Sequence, residues 1–105
     1  MRDLDGHILG IVYIVHFDRK LHHAQHYIGW TADLDVRLTV HANGRGSRLI
    51  AAVRDAGIGF QVVRRFRGTR IDERRIKAQR NGPRWCQLCN RNPSTPTWGM
   101  KEIIE

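Results

Sequence analysis

The sequence predicts an α/β (α+β) domain in which a central three-stranded antiparallel β-sheet is flanked by helices, in the order β-β-α-α-β-α. Its 105 residues suffice for one hydrophobic core and are too few for two ordinary domains. Hydrophobic residues make up 41% of the chain, which is typical of a folded protein. β-branched runs and segments with apolar residues at helical spacing follow one another along the chain, which indicates the mixed class.

The first strand is predicted at residues 8–17, which are β-branched and aromatic. Alternate side chains point to opposite faces: Ile11, Tyr13, Val15 and Phe17 to one, Val12 and Ile14 to the other. We therefore expect a central strand that is buried on both sides. The polar residues 18–25 predict a long hairpin connection to an antiparallel second strand at residues 26–30. Residues 60–66 predict the third strand.

Capping residues indicate where three helices begin. Thr31 is expected to cap the first helix, and Ser47 the second. Residues 69–72 resemble a capping box that opens the third helix, which residues 81–83 would end. These signals complete one predicted domain over residues 1–92.

The last residues, 93–105, are expected to form a mobile or loosely packed tail. Two prolines interrupt regular structure there, and only Trp98, Ile103 and Ile104 offer apolar surface for docking. The sequence leaves the oligomeric state open between monomer and homodimer.

The charge balance favours a polyanionic partner. Eighteen Lys and Arg residues against ten Asp and Glu give a net charge of +8 and a pI near 10.7. Neutralising phosphates releases counterions, and nucleic acid is the commonest polyanion that binds in this way. The apolar run at residues 8–15 is too short to span a membrane, and Asp3 and Asp5 precede it where a signal peptide carries positive charge. A cytoplasmic location with reduced cysteines is expected.

The residues that can support chemistry are two strand tyrosines, an Arg-x-x-x-His pair and one carboxylate. Phosphodiester hydrolysis requires a base for water, cationic groups for the developing charge, and a metal on a phosphate oxygen. The motifs of serine-nucleophile and P-loop sites are absent from the sequence. Direct attack of water, without a covalent intermediate, is therefore the favoured chemistry.

These residues carry a resemblance to the GIY-YIG nuclease family. The stretch GIVY ends at Tyr13, and HYIG contains Tyr27-Ile28-Gly29; Arg37, His41 and Glu73 follow in the family's order. The glycine of the first motif is displaced to Gly10, and the match extends over about residues 9–92. The resemblance implies a metal-dependent endonuclease that cleaves DNA phosphodiester bonds.

The resemblance also implies roles. Tyr13 would be the general base or its relay, and Tyr27 would hydrogen-bond the nucleophile or the scissile phosphate. Arg37 would stabilise the developing negative charge. His41 would orient or deprotonate the neighbouring tyrosine, or contact phosphate.

The resemblance identifies Glu73 as the ligand of one Mg²⁺ or Mn²⁺. Mg²⁺ keeps most of its waters, so one carboxylate can suffice. The family's asparagine fits Asn90 best, with Asn81 and Asn92 as alternatives. Phosphate positioning is expected of a dense basic run, formed by Arg64, Arg65, Arg67, Arg70, Arg74 and Arg75.

Two other functional classes remain open from the sequence. The first is a catalytically silent nucleic-acid-binding module on the same scaffold. The second is a structural or redox protein centred on Cys86-x-x-Cys89. This motif supplies two zinc ligands where four are needed, so a partner chain or a distant histidine would have to complete the site. A metal site at His22, His23 and His26 is a further possibility. Substrate specificity, the choice of DNA or RNA and the pathway are left open.

Overall fold

The apolar run near the N-terminus forms the central strand β1 (Gly10–Leu21) of an antiparallel sheet. The structure is a computed structural model that describes residues 6–95 and 100–104. After β1 come β2 (Ala24–Thr31), α1 (Leu34–Ala42), α2 (Arg48–Asp55), β3 (Phe60–Gly68), α3 (Arg70–Ala78), α4 (Gly82–Trp85) and β4 (Lys101–Glu102). The strands lie side by side in the order β2-β1-β3-β4.

The predicted α+β class and the antiparallel pairing of β1 with β2 are confirmed. The predicted count of three strands is wrong, because the structure has a fourth. Residues 101 and 102, assigned from the sequence to the tail, pair with β3 as β4. A two-residue strand has no alternation pattern of its own, so it cannot be recognised by periodicity.

Strand β1 is buried on both faces, as predicted, and separates two hydrophobic clusters. Tyr13, Val15 and Phe17 pack with apolar residues of α1 and α2, including Ile50. The other face of β1 packs against α3 and α4, where Ile76 and Trp85 are fully buried. Burying a side chain of this size contributes about 1.5–3 kcal/mol, so the helices on both faces are held mainly by these contacts.

The predicted long connection between the first two strands is wrong. The two strands continue through most of residues 18–25, and only His22 and His23 form the turn. His22 has a φ of 56°, the left-handed conformation that tight hairpin turns require. These strand ends could not be predicted from the sequence, because residues 18–20 are exposed and show no alternation of apolar and polar residues.

Two of the three predicted helix caps are confirmed. Ser47 caps α2, and Thr69 and Asp72 form the capping box of α3. Asp33, instead of Thr31, caps α1, and the Thr31 hydroxyl accepts a hydrogen bond from the Asp33 N–H. Residues 81–83 do not end α3 but begin α4, where Asn81 is the N-cap. In the ranges 6–95 and 100–104, no helix has the length and apolar character needed to cross a bilayer.

Arg64 attaches the segment around β4 to the rest of the domain. Its guanidinium donates to both Glu102 carboxylate oxygens, at 2.8 and 2.9 Å, and to the Trp85 carbonyl at 3.2 Å. Arg64 also holds the pKa of Glu102 below its usual range, mainly through this hydrogen bond. Of the predicted docking residues, Ile103 is half-buried, Ile104 is exposed, and Trp98 lies outside the described residues.

Candidate active site

The two tyrosines lie on adjacent strands and on the same face of the sheet. In the register of β1 with β2, Tyr13 faces Gly29 and Val15 faces Tyr27. The Tyr13 ring lies across Gly29, where a Cβ would come 2.5 Å from Tyr13 Cζ and 2.6 Å from its hydroxyl oxygen. A side chain at position 29 would therefore displace the phenol. The glycine that follows Tyr27-Ile28 leaves the space that the Tyr13 ring occupies.

His41, in the last turn of α1, is fully buried against both tyrosines. Its Nε2 lies 2.7 Å from the Tyr13 hydroxyl, and its Nδ1 lies 3.2 Å from the Arg45 carbonyl oxygen. A carbonyl oxygen can only accept, so Nδ1 carries the proton and donates to Arg45. Nε2 is then the acceptor for the Tyr13 hydroxyl.

Burial favours the neutral form of both groups in this pair. Burial raises the pKa of Tyr13 above its usual range; the Tyr27 charge adds to this, and Arg37 acts in the opposite direction. Burial also lowers the pKa of His41, and Arg37 lowers it further while the Arg45 carbonyl raises it. The effect of burial on the Tyr13 pKa thus outweighs that of the Arg37 charge. At neutral pH a phenol donates to a neutral imidazole.

Arg37 lies one helical turn before His41 on the same face of α1, as its spacing predicts. The loop after α1 packs against both side chains at Gly46, where a Cβ would lie 3.2 Å from Arg37 Nη1 and 3.4 Å from His41 Cε1. Gly46 has a φ of 85°, so both backbone conformation and space favour glycine there. Arg37 is half-buried and therefore keeps access to solvent.

Glu73 reaches the tyrosines from α3. The capping box uses Asp72, which leaves the Glu73 carboxylate without a capping role. One Glu73 oxygen lies 3.7 Å from Lys77 Nζ, and that ammonium lies 5.6 Å from the centre of the Tyr27 ring. The Glu73 charge contributes to the raised pKa of Tyr13. Lys77, one helical turn after Glu73, thus also belongs to the site.

Asn90 does not join this group. It lies in the turn after α4, where its N–H donates to the Cys86 carbonyl and its side chain accepts from the Asn92 N–H. Asn81 lies closer to the site, because it lines a cleft of about 320 Å³ together with Tyr27 and Lys77. The geometry favours Asn81 over Asn90 as the family's asparagine.

The predicted basic run divides between two faces and the interior. Arg64 is corrected to a structural residue: its side chain is 3% exposed and its donors are used within the protein. Arg65 and Arg67 line a depression beside the start of α1, with Asp33 and Asp35. The α3 residues Arg70, Arg74 and Arg75 are exposed. Arg70 lies over the Trp30 ring, 4.8 Å from its centre.

A second cluster of reactive side chains lies on the opposite face of the sheet. His16 and His26 face each other across β1 and β2, next to Cys86 and Cys89. Sequence reasoning did not identify this set: it grouped His26 with His22 and His23, and it left open a distant histidine for the cysteines without naming one. Both cysteines are free thiols, and no local signal links residues so far apart in the chain.

Comparisons with protein-family models, with curated proteins and with solved structures gave no match for this chain. The resemblance to the GIY-YIG family therefore stays a prediction from motifs. Function must be inferred from the geometry of the two clusters.

Proposed function

We propose that this protein is a GIY-YIG-type endonuclease that hydrolyses DNA phosphodiester bonds by metal-dependent, one-step attack of water. The observation that supports it most is the 2.7 Å contact between the Tyr13 hydroxyl and His41 Nε2. A packing position would not need two polar side chains at full burial, because removing a phenol and an imidazole from water costs free energy. Tyr27, Arg37 and Glu73 surround this pair from β2, α1 and α3.

The two tyrosines have different roles in removing the proton from the attacking water. Tyr13 is only 1% exposed, whereas Tyr27 is half-buried beside Lys77. We therefore assign contact with the attacking water or the scissile phosphate to Tyr27. Tyr27 takes the proton of the attacking water and gives its own hydroxyl proton to Tyr13, which in turn gives its proton to His41 Nε2. Nε2 can accept because Nδ1 donates to Arg45. His41 is fully buried, so direct contact with phosphate is not assigned to it.

Glu73 is the residue that would hold Mg²⁺ or Mn²⁺. Its carboxylate is a hard oxygen donor, 15% exposed, and its ion pair with Lys77 is long at 3.7 Å. When bound, the metal supplies Lewis-acid polarisation of a phosphate oxygen. Arg37, half-buried and next to the tyrosines, stabilises the negative charge that develops on the phosphate.

DNA binding is assigned to arginines near the site, of which Arg65 is half-buried and the others are exposed. The proposed location of the protein is the cytoplasm. Arg65 and Arg67 flank it on β3, and Arg70, Arg74 and Arg75 flank it on α3. The net charge of +8 supports a phosphate partner. Arg64 is excluded from this set because it is buried.

A catalytically silent DNA-binding module is the second candidate. The burial of Tyr13 and its raised pKa favour it, because a phenol that keeps its proton is a poor base. Such a module would bind DNA with strong salt dependence and would show no turnover.

The test is cleavage of supercoiled plasmid and of a branched oligonucleotide with Mg²⁺ or Mn²⁺. Glu73→Gln removes the proposed ligand with little change in shape, and Asp55→Asn is the control, since Asp55 is exposed on α2. Metal-dependent cleavage by the parent and by Asp55→Asn, lost in Glu73→Gln, supports the nuclease. Salt-dependent DNA binding without cleavage by the parent with either metal supports the silent module.

A further inference from the structure

His16 of β1, His26 of β2, and Cys86 and Cys89 after α4 direct one donor atom each toward a common point. All four donor atoms lie within 4.8 Å of one another. His16 Nδ1 lies 3.4 Å from His26 Nε2, 3.4 Å from Cys86 Sγ and 3.7 Å from Cys89 Sγ. Cys89 Sγ lies 3.4 Å from His26 Nε2.

Hydrogen bonding alone does not account for these distances. An imidazole nitrogen either donates one proton or accepts with one lone pair, so His16 Nδ1 cannot bond three neighbours at once. Zn–N and Zn–S bond lengths of about 2.0–2.1 and 2.3 Å put the ligands of a tetrahedral ion roughly 3.3–3.8 Å apart. Four of the six distances between donor atoms fall in that range. The other two, from Cys86 Sγ to Cys89 Sγ and to His26 Nε2, are within 4.8 Å.

We propose that this cluster is a structural Cys₂His₂ zinc site. Four protein ligands leave no open position for water or substrate, which is typical of structural and not of catalytic zinc. Thiolate and imidazole ligands select Zn²⁺ over the hard Mg²⁺ ion. The site lies on the face of the sheet opposite Tyr13. Zinc binding there does not depend on the proposed nuclease activity.

The zinc would join parts of the chain that are distant in sequence. Cys86 and His16 are 70 positions apart, and α4, which precedes the cysteines, has only four residues. α4 approaches His26 closely at Gly82, where a Cβ would lie 2.7 Å from His26 Nδ1, the nitrogen that faces away from the cluster. The metal therefore fastens the turn after α4 to the β1–β2 hairpin.

The experiment is metal analysis of the full chain, purified without chelator and in reductant, followed by exchange with Co²⁺. Cys89→Ser removes one exposed ligand with little change in volume. His23→Gln is the matched control, because His23 is an exposed histidine at the tip of the same hairpin. We expect about one zinc per chain in the parent and in His23→Gln, and a severalfold lower content in Cys89→Ser.

The absorption spectrum of the Co²⁺-exchanged parent tests the zinc site even where the Cys89→Ser variant fails to fold. The parent is expected to show the visible absorption of tetrahedral Co²⁺ together with a thiolate charge-transfer band. A folded parent that holds neither zinc nor tetrahedral Co²⁺ would overturn the site, as would undiminished zinc in Cys89→Ser. A reversible Cys86–Cys89 disulfide in protein that never binds metal would also overturn it and assign the pair to redox chemistry.

Discussion

Replacing Tyr13 by Phe removes one oxygen atom from the centre of the candidate active site. The phenol is 1% exposed and donates to the fully buried His41 Nε2 at 2.7 Å. Its removal leaves a buried acceptor without its partner, which costs about 1–3 kcal/mol. If Tyr13 also relays a proton, cleavage should fall by about 10²–10⁴-fold, since general-base assistance contributes that much. Loss of stability and loss of rate are separate expectations.

Urea unfolding followed by circular dichroism measures the first effect, and plasmid cleavage measures the second. A double-mutant cycle with His41→Asn separates the hydrogen bond from other losses, because the Asn amide can still donate to the Arg45 carbonyl. Residues in direct contact should show a coupling energy of about 0.5–3 kcal/mol. Additive effects of Tyr13→Phe and His41→Asn would refute the hydrogen bond. Full cleavage by a stably folded Tyr13→Phe would refute the relay.

Three further outcomes are expected. Gly29→Ala places a Cβ 2.5 Å from Tyr13 Cζ and should lower the free energy of unfolding in urea by about 1–3 kcal/mol. An unchanged urea midpoint would contradict the packing of the Tyr13 ring on Gly29. Arg64→Ala should lower the free energy of unfolding by about 1–3 kcal/mol and leave the salt dependence of DNA binding unchanged. Arg67→Ala should leave stability unchanged and reduce the slope of log affinity against log salt by about 1. The reverse result would make Arg64 a DNA contact. The pKa of His41 in the folded protein lies below its unfolded value of about 6.5, so protonation favours the unfolded chain. The free energy of unfolding should therefore fall as the pH drops below 6.5 toward the folded pKa. His41→Asn should make this pH dependence weaker, and an unchanged dependence would show that His41 is not its source.

The sequence was informative where structure depends on neighbouring residues. Alternation of side chains predicted the two buried faces of β1, and hydroxyl caps predicted the starts of α2 and α3. Both signals act over a few residues, so they can be recognised without knowing the fold. The hairpin ends were missed because an exposed ribbon carries no apolar pattern.

The candidate active site was predicted in composition but not in geometry. Motif order identified the tyrosines, Arg37, His41 and Glu73, which the structure brings together, while Asn90 lies elsewhere. That Tyr13 is buried and that Tyr27 is the more exposed phenol depends on how α1 packs on the sheet. No local pattern encodes that packing, so the division of roles between the tyrosines required the fold.

From the sequence alone, apolar periodicity and capping residues determined the fold class, composition determined the basic character, and motif order determined the set of residues proposed for catalysis. Tertiary structure alone decided the use of Arg64, which is buried because β4 brings Glu102 to it from 38 positions away. It also decided the convergence of His16 and His26 with the two cysteines, up to 73 positions along the chain. Both depend on the pairing of distant segments, which is set by the whole core and has no signature at the residues themselves.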